Sequence, residues 1–531
     1  MRHYFLLFAI VLFSNNIKAQ DFKNINAQAD KFGSLLQLIN FYYVDTINTP
    51  KITEEAIVAM LEKLDPHSIY ISKKDLKAMN EPLEGNFEGI GVQFNILYDT
   101  ITVVATIPGG PSEKVGIQAG DKIVKIDTIN VAGIKIKNED VIKKLRGAKG
   151  TKVIVSMQRK GVTELLDFTI TRDKIPLYSV DAVYMAAPTV GYIKVNRFAQ
   201  TTMDEFRAGL KKLKSAGMKD LILDLQDNGG GYLNMAFEMA DEFLTENKMI
   251  VYTEGIKSPK KSYSSTKKGE FEKGRLIVLV DEGSASASEI VSGAVQDWDR
   301  GLIIGRRTFG KGLVQNQYPL PDGSAVRLTI ARYYTPVGRS IQRPYGDGTE
   351  SYYKDLYSRF KHGELNNRDS IKFPDSLKYV TPNQRIVYGG GGIMPDIFVG
   401  LDTTKNSAYF GSLIRKGVLN QFCFNYVDAN RNDLKKKYPD FASYKKGFIV
   451  DDAFLNNLAA VGEKEGIKKD EAEMNKIKRE LQIQIKAIIA RDLWKSDEFY
   501  EVFNELNEVY LKALETFKTD SFKKMGIVES K

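Results

Sequence analysis

The sequence predicts a multidomain α+β protein with a helical N-terminal region, a small strand-rich module, an α/β core and a helical C-terminal region. Three observations carry this. At 531 residues the chain is too long for a single ordinary core, so roughly two to four domains are expected. Its texture changes near Gly85, again near Arg172 and again near Gly400. Within the third stretch the apolar runs Leu221–Leu225, Leu276–Val280 and Leu302–Ile304 are short and uninterrupted, as in strands covered on both faces. A hydrophobic fraction of 43% and a charged fraction of 27% are those of a soluble globular chain. The net charge of +9 is mild over this length, and no Lys/Arg block is interleaved with aromatics, so nucleic acid is not an expected partner.

Residues 1–20 read as a secretory signal peptide. Arg2 and His3 precede an apolar run from Tyr4 to Phe13, polar residues follow, and cleavage is expected near Ala19–Gln20. The run is about half the length of a bilayer span. The protein is therefore expected to be exported, periplasmic or secreted, and membrane-associated only if the signal stays uncleaved. The single cysteine, Cys423, has no internal disulfide partner and reads as an apolar filler.

Residues 21–84 read as a helical region. Leu35, Leu38, Ile39 and Tyr42 recur at helical spacing, as do Ile57, Met60, Leu61 and Leu64, and Asp65-Pro66 stops the second helix. Residues 85–172 read as short strands. Val92–Leu97 and Ile101–Thr106 form one hairpin pattern, and Val153–Gln158 and Leu165–Thr171 form another. Between them Asn138–Arg146 reads as a helix, with Asn138 as cap, Val141, Ile142 and Leu145 inward, and Gly147 closing it. Residues 173–400 alternate strands and helices, and 344–385, polar with tyrosines and few aliphatics, reads as an inserted surface segment. In 401–531 one apolar stripe joins Ile477, Leu481, Ile485, Ile488 and Ile489. Another joins Phe499, Val502, Phe503, Leu506, Val509, Tyr510 and Leu514. Packing on the body or on each other is the expectation for both.

Strand Leu276–Val280 runs into the small-residue turn Gly283-Ser284-Ala285-Ser286 and then a helix-like stretch to Trp298. A strand, a tight turn and a helix present a nucleophile beside free backbone N–H groups. Ser286-x-x-Glu289 is equally a capping box. The chain holds only three histidines, and His67 and His362 stand in no metal-ligand spacing, so the base for such a serine is sought among lysines and carboxylates. Lys311 lies between Gly310 and Gly312, where close backbone approach leaves room for its side chain to point inward, though a solvated surface lysine like the chain's many others explains it as well. Burial there favours the neutral amine a base requires. Gln315 is placed to hydrogen-bond that amine without adding charge. Gly229-Gly230-Gly231, after Asp224-Leu225-Gln226-Asp227-Asn228, can turn an N–H toward a developing oxyanion, though a flexible turn explains it as well. No metal and no cofactor are expected.

Gly283-Ser284-Ala285-Ser286-Ala287-Ser288-Glu289, with Lys311 in Thr-Phe-Gly-Lys-Gly 25 residues after Ser286, resembles the carboxyl-terminal processing (tail-specific) proteases. The resemblance implies a crotonase-like α/β protease core using a serine–lysine dyad, Ser286 and Lys311, supported by Gln315. It implies an oxyanion hole from the amides of Ala287 and Gly230, although Gly229 stands where many members carry proline. Residues 85–172, with Gly89-Ile90-Gly91-Val92 and Pro111 to Asp121, resemble the family's PDZ domain. That loop would offer N–H groups to a tail's carboxylate, and the next strand would pair with the peptide. Asp65-Pro66-His67-Ser68 and the Gly-Gly-Ile-Met-Pro-Asp run resemble further landmarks.

The expected partners are protein or peptide substrates with apolar C-terminal tails, with a homo-oligomer or an adaptor protein left open. Two other readings also stay open. One is an idle protein that holds tails through its PDZ domain, and the other a hydrolase relying on His67 or His362.

Overall fold

A computed structural model describes residues 24–97, 99–267 and 269–527, so the expected signal peptide lies outside them. The chain divides into two compact units. One comprises the residues before Lys73 together with Gln317–Leu328, and the other comprises Lys73–Asn316 and the residues from Thr329 onward.

The smaller unit begins with helix 24–42 and helix Thr49–Glu62, the second capped by Asn48, whose side chain accepts the Lys51 N–H at 3.1 Å. Leu35, Leu38, Phe41 and Tyr42 are exposed. Asp65 orders the turn that follows. Its Oδ1 accepts the N–H groups of His67 (2.8 Å) and Ser68 (2.9 Å), and its Oδ2 accepts the Ser68 hydroxyl. The expected all-helical stretch is then broken by strand Ile69–Ile71, which pairs antiparallel with Ala325–Arg327. Three β-competent residues between a turn and a pairing partner outweigh local helix pattern.

In the larger unit the strand-rich module is a sheet running Val92–Leu97, Thr100–Thr106, Lys122–Ile126, Lys152–Gln158, Leu166–Thr171, with Val92–Leu97 at its edge. Ile101, Val103, Ile123, Val155 and Met157 are fully buried against helix Asn138–Leu145. Two expectations shift here. The helix is capped by Lys137, with Asn138 its first residue. Val141 and Leu145 point into the core, but Ile142 is 39% exposed. At helical spacing one of three adjacent apolar positions must leave a narrow stripe.

The core is a six-stranded sheet in the order Val180–Ala187, Val190–Val195, Asp220–Asp224, Leu276–Val280, Leu302–Gly305, Ile397–Phe398. Its first pair is an antiparallel hairpin and the rest are parallel. Helices Thr202–Ser215, Leu233–Asp241 and Ala287–Asp297 bury one face. Helices Glu508–Thr516 and Ser521–Lys524 bury the other, where Val509, Tyr510, Ala513, Phe517 and Phe522 meet Tyr192, Ile222, Ile277 and Leu279. The uninterrupted apolar runs are thus covered on both faces. The first C-terminal stripe closes a separate helical cluster containing Ile477, Leu481, Ile485 and Cys423, while the second spreads over that cluster and the sheet.

Candidate active site

Ser286 sits at the junction of strand Leu276–Val280 and helix Ala287–Asp297 with φ 56° and ψ −109°. A side chain larger than glycine takes such a conformation only when its surroundings impose it. The surroundings are a lattice of hydrogen bonds. Asp281 accepts the N–H groups of Gly283 (3.0 Å), Ser284 (3.1 Å) and, across the gap, Asp227 (2.9 Å). Burial raises its pKa to about 6. Ser284 Oγ donates to the Leu225 carbonyl (2.8 Å), Ala285 N–H to the Asn228 carbonyl (2.9 Å) and Ser288 Oγ to the same carbonyl (2.8 Å). The serine turn and the glycine turn are therefore one body.

Within it Gly230 (φ 96°) lies against the serine. A Cβ there would stand 2.8 Å from Ser286 Cβ and 2.9 Å from Ala287 N, so no larger residue fits. Its own N–H is donated to Asn228 Oδ1 at 2.9 Å, in place of the free amide expected from the sequence. The buried Asn228 side chain is the competing acceptor. Among the described residues nothing accepts the Ala287 N–H.

The lysine turn follows strand Leu302–Gly305. Gly310 (φ 88°) and Gly312 permit close backbone approach, a Cβ at either coming within 3.1 Å of Gly392 N or 2.9 Å of Gln342 N. Gln342 Oε1 accepts the Gly312 N–H (2.8 Å), and Thr308 Oγ1 accepts the Ile393 N–H (2.6 Å), so the glycine run before Met394 braces this turn. Lys311 Nζ donates to Gln315 Oε1 at 3.2 Å.

Two side chains join the serine and lysine turns. Glu289, fully buried, accepts four donors. Oε1 takes Thr308 Oγ1 (2.6 Å) and Gly310 N–H (2.7 Å), while Oε2 takes Ser286 N–H (2.8 Å) and Lys311 N–H (2.9 Å). Burial raises its pKa to about 7, against the pull of those hydrogen bonds. The Ser286 carbonyl accepts the helix-start N–H groups of Glu289 (2.9 Å) and Ile290 (3.0 Å), and Ser286 and Glu289 form a capping box at the same helix start. Buried Tyr333 shares its single hydroxyl proton between the Lys311 carbonyl and the Ser286 carbonyl, the latter at 3.1 Å. Sequence reading saw Glu289 only as a cap and passed over Tyr333, which no motif marks.

The segment 344–385 does more than cover surface. Its helix Thr349–Lys361 buries Tyr352 and Arg359, and Arg359 donates to the carbonyls of Arg307 (2.7 Å) and Thr308 (3.1 Å) at the base of the lysine turn. Arg343 stacks on Phe309 at 4.0 Å. His362 caps that helix at its C-terminal end, and His67 belongs to the smaller unit.

In the strand-rich module Ile90 is buried and Gly91 (φ 74°) turns the loop. The Ile90 carbonyl accepts Ser112 N–H (3.1 Å) and Oγ (2.6 Å), and the Gly91 carbonyl accepts Ile107 N–H (3.0 Å). Among the described residues nothing accepts the N–H groups of Ile90 or Gly91. Gly89 ends the strand before the loop, and Val92 opens the edge strand after it.

The chain thus carries a strained serine at a strand-to-helix turn, tied by hydrogen bonds to a glycine turn and to the turn that bears Lys311, on an α/β scaffold with a separate strand-rich module. Residues 189–351 match peptidase family S41, 102–159 match the PDZ domain, and 409–495 match a family of unknown function. A carboxy-terminal-processing protease of Bartonella bacilliformis is 36% identical over 64% of this chain and 78% of its own. A carboxy-terminal processing protease of Bacillus subtilis is 32% identical over 73% and 79%. Among solved structures, a photosystem II D1 C-terminal processing protease is 27% identical, with TM-score 0.35, over 68% of this chain and 85% of that one. The chain belongs to the carboxy-terminal processing proteases of peptidase family S41, and it is a serine peptidase with a PDZ domain.

Proposed function

We propose that this chain is an exported endopeptidase in which Ser286 and Lys311 form a catalytic dyad. Neutral Lys311 takes the Ser286 hydroxyl proton as Oγ attacks the scissile carbonyl carbon, then returns it to the leaving amine as the tetrahedral intermediate collapses to an acyl-serine. Water, deprotonated by the same amine, releases the acyl group. Gln315 orients Nζ without adding charge. The Ala287 amide receives the oxyanion, joined by Gly230 once its N–H leaves Asn228. The loop Gly89, Ile90, Gly91 and Val92 holds the terminal carboxylate of an apolar tail, which adds as a strand along the edge. The signal at 1–20 directs export.

One observation supports the dyad above the rest. Glu289 and Tyr333 each bind Ser286 and Lys311 backbone atoms, so two segments 25 residues apart are fixed to each other at the points that carry the two side chains. The test is cleavage of an unfolded substrate with an apolar C-terminus by the chain and by Ser286→Ala, Lys311→Ala and His67→Ala. Loss in the first two alone is expected, with a rate that climbs with pH above neutrality. Cleavage surviving in Lys311→Ala, or a rate flat from about pH 6 to 9, overturns the dyad. The mass of the exported protein reports whether cleavage falls near Ala19.

A further inference from the structure

The exposed face of Ile142 is not open to bulk solvent alone. Between the edge strand and helix Asn138–Leu145 lies a cavity of about 390 Å³, and its far side is built by the C-terminal helical region. Phe94 and Ile96 line it from the strand, Asn138 and Ile142 from the helix, Lys416 from the C-terminal end of helix Ala408–Arg415, and Gln421 from the first turn of helix Val418–Lys437. The same helix touches the module elsewhere, since a Cβ at Gly120 would meet Asp428 Oδ1 at 2.7 Å. Of the described residues lining the cavity, Lys416 alone is charged. Its ammonium donates to the Glu465 backbone carbonyl at 2.7 Å, a neutral partner, and among the described residues no carboxylate pairs with it. The groove thus has one formal positive charge, anchored at the Glu465 carbonyl and balanced by no carboxylate among the described residues, on a wall that the PDZ domain does not supply.

Its position selects what meets that charge. A tail with its carboxylate at the loop 89–92 must run antiparallel to the edge strand, advancing about 3.3 Å per residue. The residues two to four places before the last then lie alongside Phe94–Ile96, opposite Lys416. We propose that the C-terminal helical region forms a third wall of the peptide groove, and that Lys416 selects tails carrying an acidic residue upstream of their apolar end. This rests on tail binding by the PDZ domain, and the test separates the two.

Two labelled peptides end in the same apolar residue and carry either Glu or Lys two and four places before it. Their affinities are measured by fluorescence anisotropy for full-length Ser286→Ala and for Ser286→Ala with Lys416→Glu. The acidic peptide is expected to bind the first protein about three- to fivefold tighter, as for one exposed ion pair, and less so at raised ionic strength. Lys416→Glu is expected to invert the order. The same ratio of affinities in both proteins overturns the selecting role of Lys416 and leaves tail binding standing. If amidating the peptide C-terminus leaves binding unchanged, tail binding through the loop fails and the inference fails with it.

Discussion

Glu289 shows how one residue can have a local explanation and a larger role. The capping box is real on its side, yet the same carboxylate receives the lysine turn, and only three-dimensional closure brings Thr308, Gly310 and Lys311 to it. Glu289→Gln keeps the shape but offers one acceptor oxygen in place of two. A kcat loss on the order of 10–100-fold with KM nearly unchanged is expected in steady-state peptide cleavage, since small misplacements of reacting groups carry such penalties. Stability should respond as well. A carboxyl with its folded pKa raised from 4.5 to about 7 contributes most below pH 4.5, and that contribution drains away as pH rises through 7. Urea melts should therefore show the difference between the wild type and Glu289→Gln shrinking from pH 5 to pH 8. Gly230→Ala is a second residue-scale case. Its positive φ and the 2.8 Å approach to Ser286 Cβ predict a loss of about 1–2 kcal/mol or more in thermal melts, with cleavage abolished. The serine, the lysine and Gln315 stand out as candidates in the sequence because their motif spacing resembles the family's. Asn228 was not, because its grip on the Gly230 amide depends on a side-chain torsion that no pattern encodes.

At the scale of elements, helix Thr349–Lys361 belongs to the site's scaffold. Polar composition made 344–385 look superficial, since pattern reading counts aliphatics and this helix is anchored by an arginine instead. Arg359→Met leaves the carbonyls of Arg307 and Thr308 without their buried donor, at about 1–3 kcal/mol. Faster amide exchange confined to 306–312 and a fall in kcat larger than any change in KM are expected. Global unfolding with uniform exchange would place the helix in general stability instead. Three central strands of the core sheet, Asp220–Asp224, Leu276–Val280 and Leu302–Gly305, were by contrast readable to within a residue, because burial on both faces leaves an unbroken apolar run.

For the larger unit as a whole, the C-terminal stripes were visible in sequence but their destinations were not. Which surface covers which is settled by contacts hundreds of residues apart, such as the edge-to-face meeting of Tyr192 and Tyr510 at 5.4 Å. Truncation after Asn507 should uncover Ile277, Leu279 and Tyr192 and yield soluble aggregates by size-exclusion chromatography, with strong binding of a hydrophobic dye. That arrangement also sets a clock. Chains are made from the N-terminus, and the second face of the core sheet stays bare until residues 508–524 have emerged. A nascent or stalled polypeptide therefore holds the serine and lysine turns without a sealed sheet beneath them, so a finished core waits for a segment more than 200 residues downstream of Ser286.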